Sequence, residues 1–266
     1  MKPLPALLIA LTFCLQASFA DAPHVLRVLC YNIHYGQGMD GEYNIARLAN
    51  VIKAAKPDLV ALQEVDVGVL RSGRVHQLQK LGELTGLTAR FGPTQHYEGG
   101  LFGNAILTRL PILDELIQPL PYTDATKERQ TYPRGALVIT LQAPEGKPLR
   151  FISTHFQHNV PEDRIEEARA INALFATAAD KQRTILAGDF NATPDAEPIT
   201  ILEKSWTHAI DTARAPSVPS VNPKSRIDYV FYRSKQDFRT ISSEVLPEAM
   251  ASDHRPVLAV LELAKP

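Results

Sequence analysis

The sequence predicts an α/β (α+β) fold in which sheets pack together and helices cover them. Three observations predict it. Short apolar runs of strand length recur along the chain. A few amphipathic helical stretches lie between them. No linker-like composition divides the runs, so residues 21–266 are expected to form a single domain built from packed layers.

The elements follow in order. Val25–Ile33 has the apolar density of a strand. Residues 44–56 place Ile45, Leu48, Ala49 and Ile52 at helical spacing, and Pro57 ends the run. Leu59–Leu62 is a buried strand, and residues 75–86 look helical. Strands are expected at 103–108, 112–117, 136–141 and 149–156. The longest helix is expected at 161–180, with Ile165, Ala168, Ile171, Leu174, Phe175 and Ala178 on its apolar side. A buried strand at 184–190, a short helix at 197–204 and strands at 227–232, 238–246 and 257–263 complete the set. Two Pro-rich stretches, 119–133 and 215–224, lack periodicity and are expected as surface or site-rim loops.

Bulk properties bound the function. The 266 residues are 45% hydrophobic and 21% charged, an ordinary globular composition. A formal net charge of −1 lacks the basic excess that marks non-specific phosphate binding. Residues 1–20 have the features of a signal peptide. Lys2 gives a positive start, an apolar stretch runs from Leu4 to Leu15, and Ala17-Ser18-Phe19-Ala20 precedes Asp21. The apolar run is shorter than the roughly 20 residues a spanning helix needs. Phe13 is bulkier than the residue that usually precedes a lipid-modified cysteine such as Cys14 would be. A secreted or periplasmic protein is therefore expected, retaining only Cys30 and so no internal disulfide. Cys30 sits in an apolar run and is expected as a small buried hydrophobe.

One pattern carries the chemistry. Four apolar runs end in polar residues: Val28-Leu29-Cys30-Tyr31 at Asn32, Leu59-Val60-Ala61-Leu62 at Gln63-Glu64, Phe151-Ile152-Ser153-Thr154 at His155, and Ile185-Leu186-Ala187-Gly188 at Asp189-Phe190-Asn191. A strand running into a polar loop explains any one of them. Four that use Asn, Glu, His and Asp point to a site, since such groups beside buried runs are costly unless paired or metal-bound. Residues two apart in an extended segment share a face, so Asp189 and Asn191 would project together, as would Asn32 and His34. Glu64, with Asn32 beside it, suits a hard cation such as Mg²⁺ or Mn²⁺. His254 with Asp228 suits a general base whose tautomer the carboxylate fixes. Asn191 and His155 suit hydrogen bonds to phosphoryl oxygens, and Asp189 suits orientation of the attacking water. Asn104 is expected to support His155 or the phosphate. Arg134 suits a phosphate contact or an ordinary surface ion pair.

Seven segments in order then resemble the endonuclease/exonuclease/phosphatase superfamily, the DNase I-like fold. They are Tyr31-Asn32-Ile33-His34-Tyr35-Gly36, Leu62-Gln63-Glu64-Val65-Asp66, 103–109, Thr154-His155-Phe156, Gly188-Asp189-Phe190-Asn191, Arg226-Ile227-Asp228-Tyr229 and Ser252-Asp253-His254-Arg255-Pro256. The resemblance implies a four-layer αββα sandwich of two mostly antiparallel sheets. It implies a metal-binding Glu64 beside Asn32, a phosphate-contacting His155, a water-orienting Asp189 and a phosphate-binding Asn191. It also implies an Asp228–His254 catalytic pair, with Asp253 a further site or metal carboxylate. His34 stands where some DNA-repair members carry a metal-binding Asp. The opening segment is similar to a secreted bacterial branch, some of whose members resemble the domain of lipid-remodelling proteins.

The expected function is metal-dependent hydrolysis of a phosphodiester, small or lipid-linked, by a monomer with at most transient contact with a lipid surface. A nuclease and a phosphomonoesterase are the alternatives, and a non-catalytic binding module is disfavoured because every central residue is present. A nuclease needs basic or aromatic groups that track a backbone. Arg71, Arg74, Arg90, Lys127, Arg129 and Arg134 are scattered through the loop-rich middle of the chain.

Overall fold

The computed structural model describes residues 24–210 and 215–264. Residues 1–20, expected as a signal peptide, lie outside the described residues.

Among the described residues, twelve strands form two six-stranded sheets. The first holds β1 (Val25–Asn32), β2 (Leu59–Val67), β3 (Thr88–Tyr97), β4 (Gly100–Thr108), β11 (Phe238–Val245) and β12 (Val257–Leu263), in the order β11-β12-β1-β2-β4-β3. The second holds β5 (Ile112–Pro119), β6 (Gly135–Gln142), β7 (Pro148–His155), β8 (Thr184–Asp189), β9 (Thr207–His208) and β10 (Asp228–Arg233), in the order β5-β6-β7-β8-β10-β9. Each sheet has one parallel pair, β1–β2 or β7–β8, and its other pairings are antiparallel. A helix connects each parallel pair, as a parallel crossover requires. These helices are α1 (Ile45–Ala55) and α3 (Pro161–Phe175).

The layers follow from side-chain alternation. One face of each sheet meets the other sheet, burying Val28, Ile106, Ile139, Phe151, Val230 and Leu261 between them. The outer face of the first sheet packs on α1 and α2 (Gln77–Thr85) through Leu29, Leu48, Ile52, Val60 and Leu81. The outer face of the second packs on α3 and α4 (Glu197–Glu203) through Ile152, Ile171, Leu186, Phe190 and Leu202. Each fully buried side chain of this size contributes ~1.5–3 kcal/mol. The result is the four-layer DNase I-like sandwich that the resemblance implies.

Helix ends explain the boundaries. Asn44 caps α1 by accepting from Arg47 N at 2.9 Å, and Gly86 closes α2 in the left-handed region. α3 stops at Phe175, five residues short of the expected end. Its last carbonyl is taken by Arg233 Nη1 at 2.7 Å, Leu174 faces solvent, and Ala178 lies beyond the helix. β3 went unread from sequence because Gly92 and Pro93 interrupt it. It lies at the sheet edge, where proline is tolerated, and its register shifts between Pro93 and Gln95. β2 runs on past Leu62 to Val67, because a bulge absorbs the residues between Leu62 and Val65.

Candidate active site

The site forms where the carboxyl ends of the two central parallel pairs meet. Asn32 ends β1 opposite Gln63, and His155 ends β7 opposite Asp189. Asp228 opens β10 opposite Asp189 on the other side. A Cβ at Gly188 would collide with the Thr154 carbonyl, so glycine lets β8 lie close enough to bring Asp189 beside His155. The bulge in β2 places Glu64 at φ +58°, a left-handed conformation uncommon for a side chain of this size.

Asn32 ties the sheets together. Its Nδ2 donates to Glu64 Oε1 and to Asp189 Oδ2, both at 3.1 Å, and its Oδ1 accepts from His34 N at 3.0 Å. Ser252 donates to the Asn32 carbonyl at 2.8 Å, bringing the Ser252-Asp253-His254 turn against β1. Asp189 and Asn191 share the site for a different reason from the one their spacing suggests. The strand stops at Asp189, Asn191 sits at φ +48°, and Asn191 N donates to Asp189 Oδ1 at 2.9 Å. A side-chain turn aligns them rather than a continuing strand. His34 likewise lies beyond β1, in a tight turn at φ +46°, and Nε2 is 3.8 Å from Asp253 Oδ2.

A carboxylate–imidazole–carboxylate row occupies the centre. His254 Nδ1 is 2.9 Å from Asp228 Oδ2, and Nε2 is 3.8 Å from Asp189 Oδ2. Asp228 Oδ2 also accepts from the Ser217 hydroxyl at 2.6 Å. All three members of the row are buried. Burial opposes charge on His254, but Asp228 and Asp189 outweigh it and raise its pKa to about 10. Burial and the Asp228 charge push Asp189 upward as well. Asp189 raises His254 and His254 in turn lowers Asp189, so the two ionisations depend on each other.

His155 has the opposite electrostatics. Burial and the Arg134 charge hold its pKa well below the ordinary imidazole value, so the ring is neutral. Arg134 Nη1 lies 3.2 Å from Nδ1. A guanidinium and an amide NH2 only donate, so both ring nitrogens face donors and the neutral imidazole can accept from one of them, Arg134 at Nδ1 or Asn191 at Nε2. Nε2 is 3.1 Å from Asn191 Nδ2 and 3.6 Å from Asp189 Oδ2. Asn191 Nδ2 also donates to the Phe156 carbonyl at 3.0 Å.

The family model for the endonuclease/exonuclease/phosphatase family matches residues 29–254. The chain belongs to this family. No curated protein sequence matches it. Among solved structures it is similar to the endonuclease/exonuclease/phosphatase from Beutenbergia cavernae DSM 12333, at 25% identity over 90% of this chain and 72% of that one, with a TM-score of 0.70. It also shares its fold with a family protein from Bacteroides thetaiotaomicron, at 19% identity over 92% of this chain and 100% of that one, with a TM-score of 0.75.

In this family member the row opens onto a cavity of about 310 Å³, lined by Glu64, Arg134, His155, Asp189, Asn191 and His254 among others. Asn32 and Asp228 stand behind that lining, and Asp253 pairs with His34 instead. Asn104 is buried with its amide on the Gly135 carbonyl at 2.8 Å, so it props the segment carrying Arg134 rather than facing the cavity. Sequence reasoning passed over Ser217, which carried no signal inside a Pro-rich loop. His158 also lines the cavity, stacked on Tyr132.

The donor set fits a hard cation. Glu64 offers carboxylate oxygens at the edge of the cavity, Asn32 stands behind it with Oδ1 accepting from His34 N, and among the described residues Asp228 Oδ1 is buried without a hydrogen-bond partner. Among the described residues, the ligand atoms of Asp189, Asp228 and His254 lie within 4.8 Å of one another. An ion there would have to displace the His254–Asp228 bond in a closed space. The half-buried Glu64 side leaves room for the waters that Mg²⁺ retains and is the better position. Among the described residues no helix is long and apolar enough to cross a membrane.

Proposed function

We propose that the chain hydrolyses a phosphodiester, small or lipid-linked, by in-line attack of water with the help of a divalent cation, Mg²⁺ or Mn²⁺. The observation that carries this reading is the Asp228–His254–Asp189 row facing His155 and Asn191, with Glu64 lining the same cavity.

Glu64 and Asn32 would hold the cation, with Asp253 a further carboxylate nearby in the fold. When bound, the cation supplies positive charge that neutralises the phosphoryl oxygens and lowers the proton affinity of Asp189 and His254. Asp189 orients the attacking water, and the Asp189–His254 pair takes its proton. Asp228 and Ser217 hold the His254 ring in place. Asn191, His155 and Arg134 donate to the oxygens on which charge develops.

A small diester is favoured over long nucleic acid by the fate of the scattered cations. Arg90 pairs with Glu115 at 2.7 Å, Arg71 with Asp66, and Arg129 bonds the Asp124 carbonyl. Of the six, Arg71 and Arg134 line the cavity. This is not the continuous basic track that a backbone needs. A secreted or periplasmic setting belongs to the same reading and rests on residues 1–20.

The test is a divalent-metal screen over DNA, RNA, phospholipids, sphingomyelin, bis-p-nitrophenyl phosphate and phosphomonoesters, run beside His254→Ala. Turnover of small diesters that needs metal and is lost in the variant supports the reading. Full activity in EDTA, or plasmid cleavage at rates matching the small diesters, overturns it.

A further inference from the structure

One half of the cavity is not used by the phosphoryl chemistry. Arg71, Gln95, Tyr97 and Phe102 line it, and the Tyr132 and His158 rings, stacked at 5.9 Å and 11°, form another part of the wall. Arg71 organises this half. Its Nε and Nη2 donate to Asp66 Oδ2 and Oδ1, each at 2.9 Å, in a two-pronged pair with a fully buried carboxylate. Its guanidinium carbon lies 3.7 Å from the Tyr35 ring centroid, 4.6 Å from Tyr97 and 5.3 Å from Phe102. Three rings and a carboxylate thus fix the guanidinium, leaving Nη1 as its donor toward a ligand.

The charge balance decides what that donor meets. Asp66 neutralises Arg71, Glu98 accepts from Arg71 N at 2.8 Å, and Glu64 lines the same cavity. The nearby Arg74 is spent on the Gly68 and Glu98 carbonyls. The Asp66 carboxylate thus cancels the Arg71 charge, so Arg71 offers a ligand a hydrogen bond rather than a net positive charge. The aromatic faces that would hold a quaternary ammonium already hold Arg71. What remains is the fixed Arg71 Nη1 and the Gln95 amide, between ring faces. That chemistry suits the hydroxyls and C–H faces of a polyol. A cavity of about 310 Å³ is at the small end of ligand sites, which suits a single ring beside the phosphate.

We propose that this half of the cavity is a polyol subsite, reading the hydroxyls of a sugar or cyclitol ring esterified to the scissile phosphate, with Arg71 as its specificity-determining residue. The inference rests on the phosphoester reading above.

The test compares kcat/KM for glycerophosphoinositol, glycerophosphocholine, a hexose 6-phosphate and bis-p-nitrophenyl phosphate, in the parent and in Asp66→Asn/Arg71→Met. The double variant removes the ion pair without leaving a buried lone charge. The parent is expected to prefer glycerophosphoinositol or the hexose phosphate over glycerophosphocholine by at least about tenfold, and the favoured arm separates cyclitol from sugar. The variant is expected to lose about 10- to 100-fold on the favoured polyol ester, the range of one charged hydrogen bond. It should stay within about threefold on bis-p-nitrophenyl phosphate. If the double variant does not fold, Gln95→Leu is expected to show the same selective loss. A parent that cleaves bis-p-nitrophenyl phosphate with no polyol preference overturns the subsite alone, as does an equal loss on both compounds. A parent inactive on every ester overturns the phosphoester reading and the subsite with it.

Discussion

Arg134 Nη1 lies 3.2 Å from His155 Nδ1 and Asn191 Nδ2 lies 3.1 Å from His155 Nε2, so two donors compete for the one lone pair that a neutral imidazole offers. Arg134→Ala is expected to lower kcat on bis-p-nitrophenyl phosphate by about 10²- to 10³-fold, the cost of losing one preorganised donor. Because burial and Arg134 together hold the His155 pKa down, the variant should also raise it. Nitrogen NMR of the ring checks both effects: Arg134→Ala leaves Asn191 Nδ2 as the donor to Nε2, so the ring proton is expected to move toward Nδ1 and the pKa to rise. An unchanged tautomer would show that Arg134 does not orient the ring.

His254 and Asp228 are expected to act as a unit. His254→Ala should reduce kcat by at least about 10³-fold, and adding Asp228→Asn should cost little more, because members of one catalytic group are not additive. The double variant also removes the Asp228 carboxylate that His254→Ala alone would leave buried and unpaired, a defect worth ~3–5 kcal/mol. Steady-state kinetics and urea midpoints on the single and double variants separate the two effects. A double variant slower than His254→Ala by a further 10²-fold would split the pair.

The legibility of this site follows from where its information lies. Asn32, Glu64, His155 and Asp189 were readable because each interrupts or ends an apolar run, and a buried run that meets a polar residue is a local signal. The sandwich was readable from strand and helix periodicity together with the ordered motifs. β3 was not, because Gly92 and Pro93 break the alternation that marks a strand, and only an edge position tolerates them. With β3 went the place of Gln95 in the cavity wall. Ser217 was invisible for a related reason. Its partner Asp228 is eleven residues away across a loop, and no period links them. Even Asp189 and Asn191, correctly paired, were paired on an extended-chain argument where a side-chain turn does the aligning.

Glu64 gives the most direct test of the cation. Glu64→Gln keeps an oxygen for Asn32 Nδ2 but removes the charge, so the fold should be preserved while cation affinity falls. The concentration of Mg²⁺ giving half-maximal activity is expected to rise at least about tenfold, with EDTA abolishing activity in the parent. Calorimetric Mn²⁺ binding reads the same loss without turnover. Equal Mn²⁺ affinity in parent and variant would move the cation away from Glu64, toward the Asp189, Asp228 and His254 group.

Glu167 links the site to pH through stability. It is buried on α3, and desolvation raises its pKa from 4.5 to about 8, although Oε2 accepts from Gln157 N at 2.9 Å. Gln157 Nε2 in turn donates to the Tyr132 carbonyl at 3.1 Å, so this carboxyl supports the loop that carries Arg134. A folded pKa above the unfolded one means that the native state holds the extra proton between these values. The contribution of Glu167 is complete below about pH 4.5 and is lost as pH rises through about 8. Glu167→Gln keeps an acceptor and removes the titration, so it should gain on the parent as pH rises. Between pH 5 and 6.5 the gain is expected to be about 1–2 kcal/mol, from ~1.4 kcal/mol per pH unit. Urea unfolding of both proteins across that range measures it. Asp189 and His254 titrate in each, so the difference isolates Glu167. Parallel stability curves would mean that Glu167 stays ionised in the folded protein, with Arg134 holding its charge.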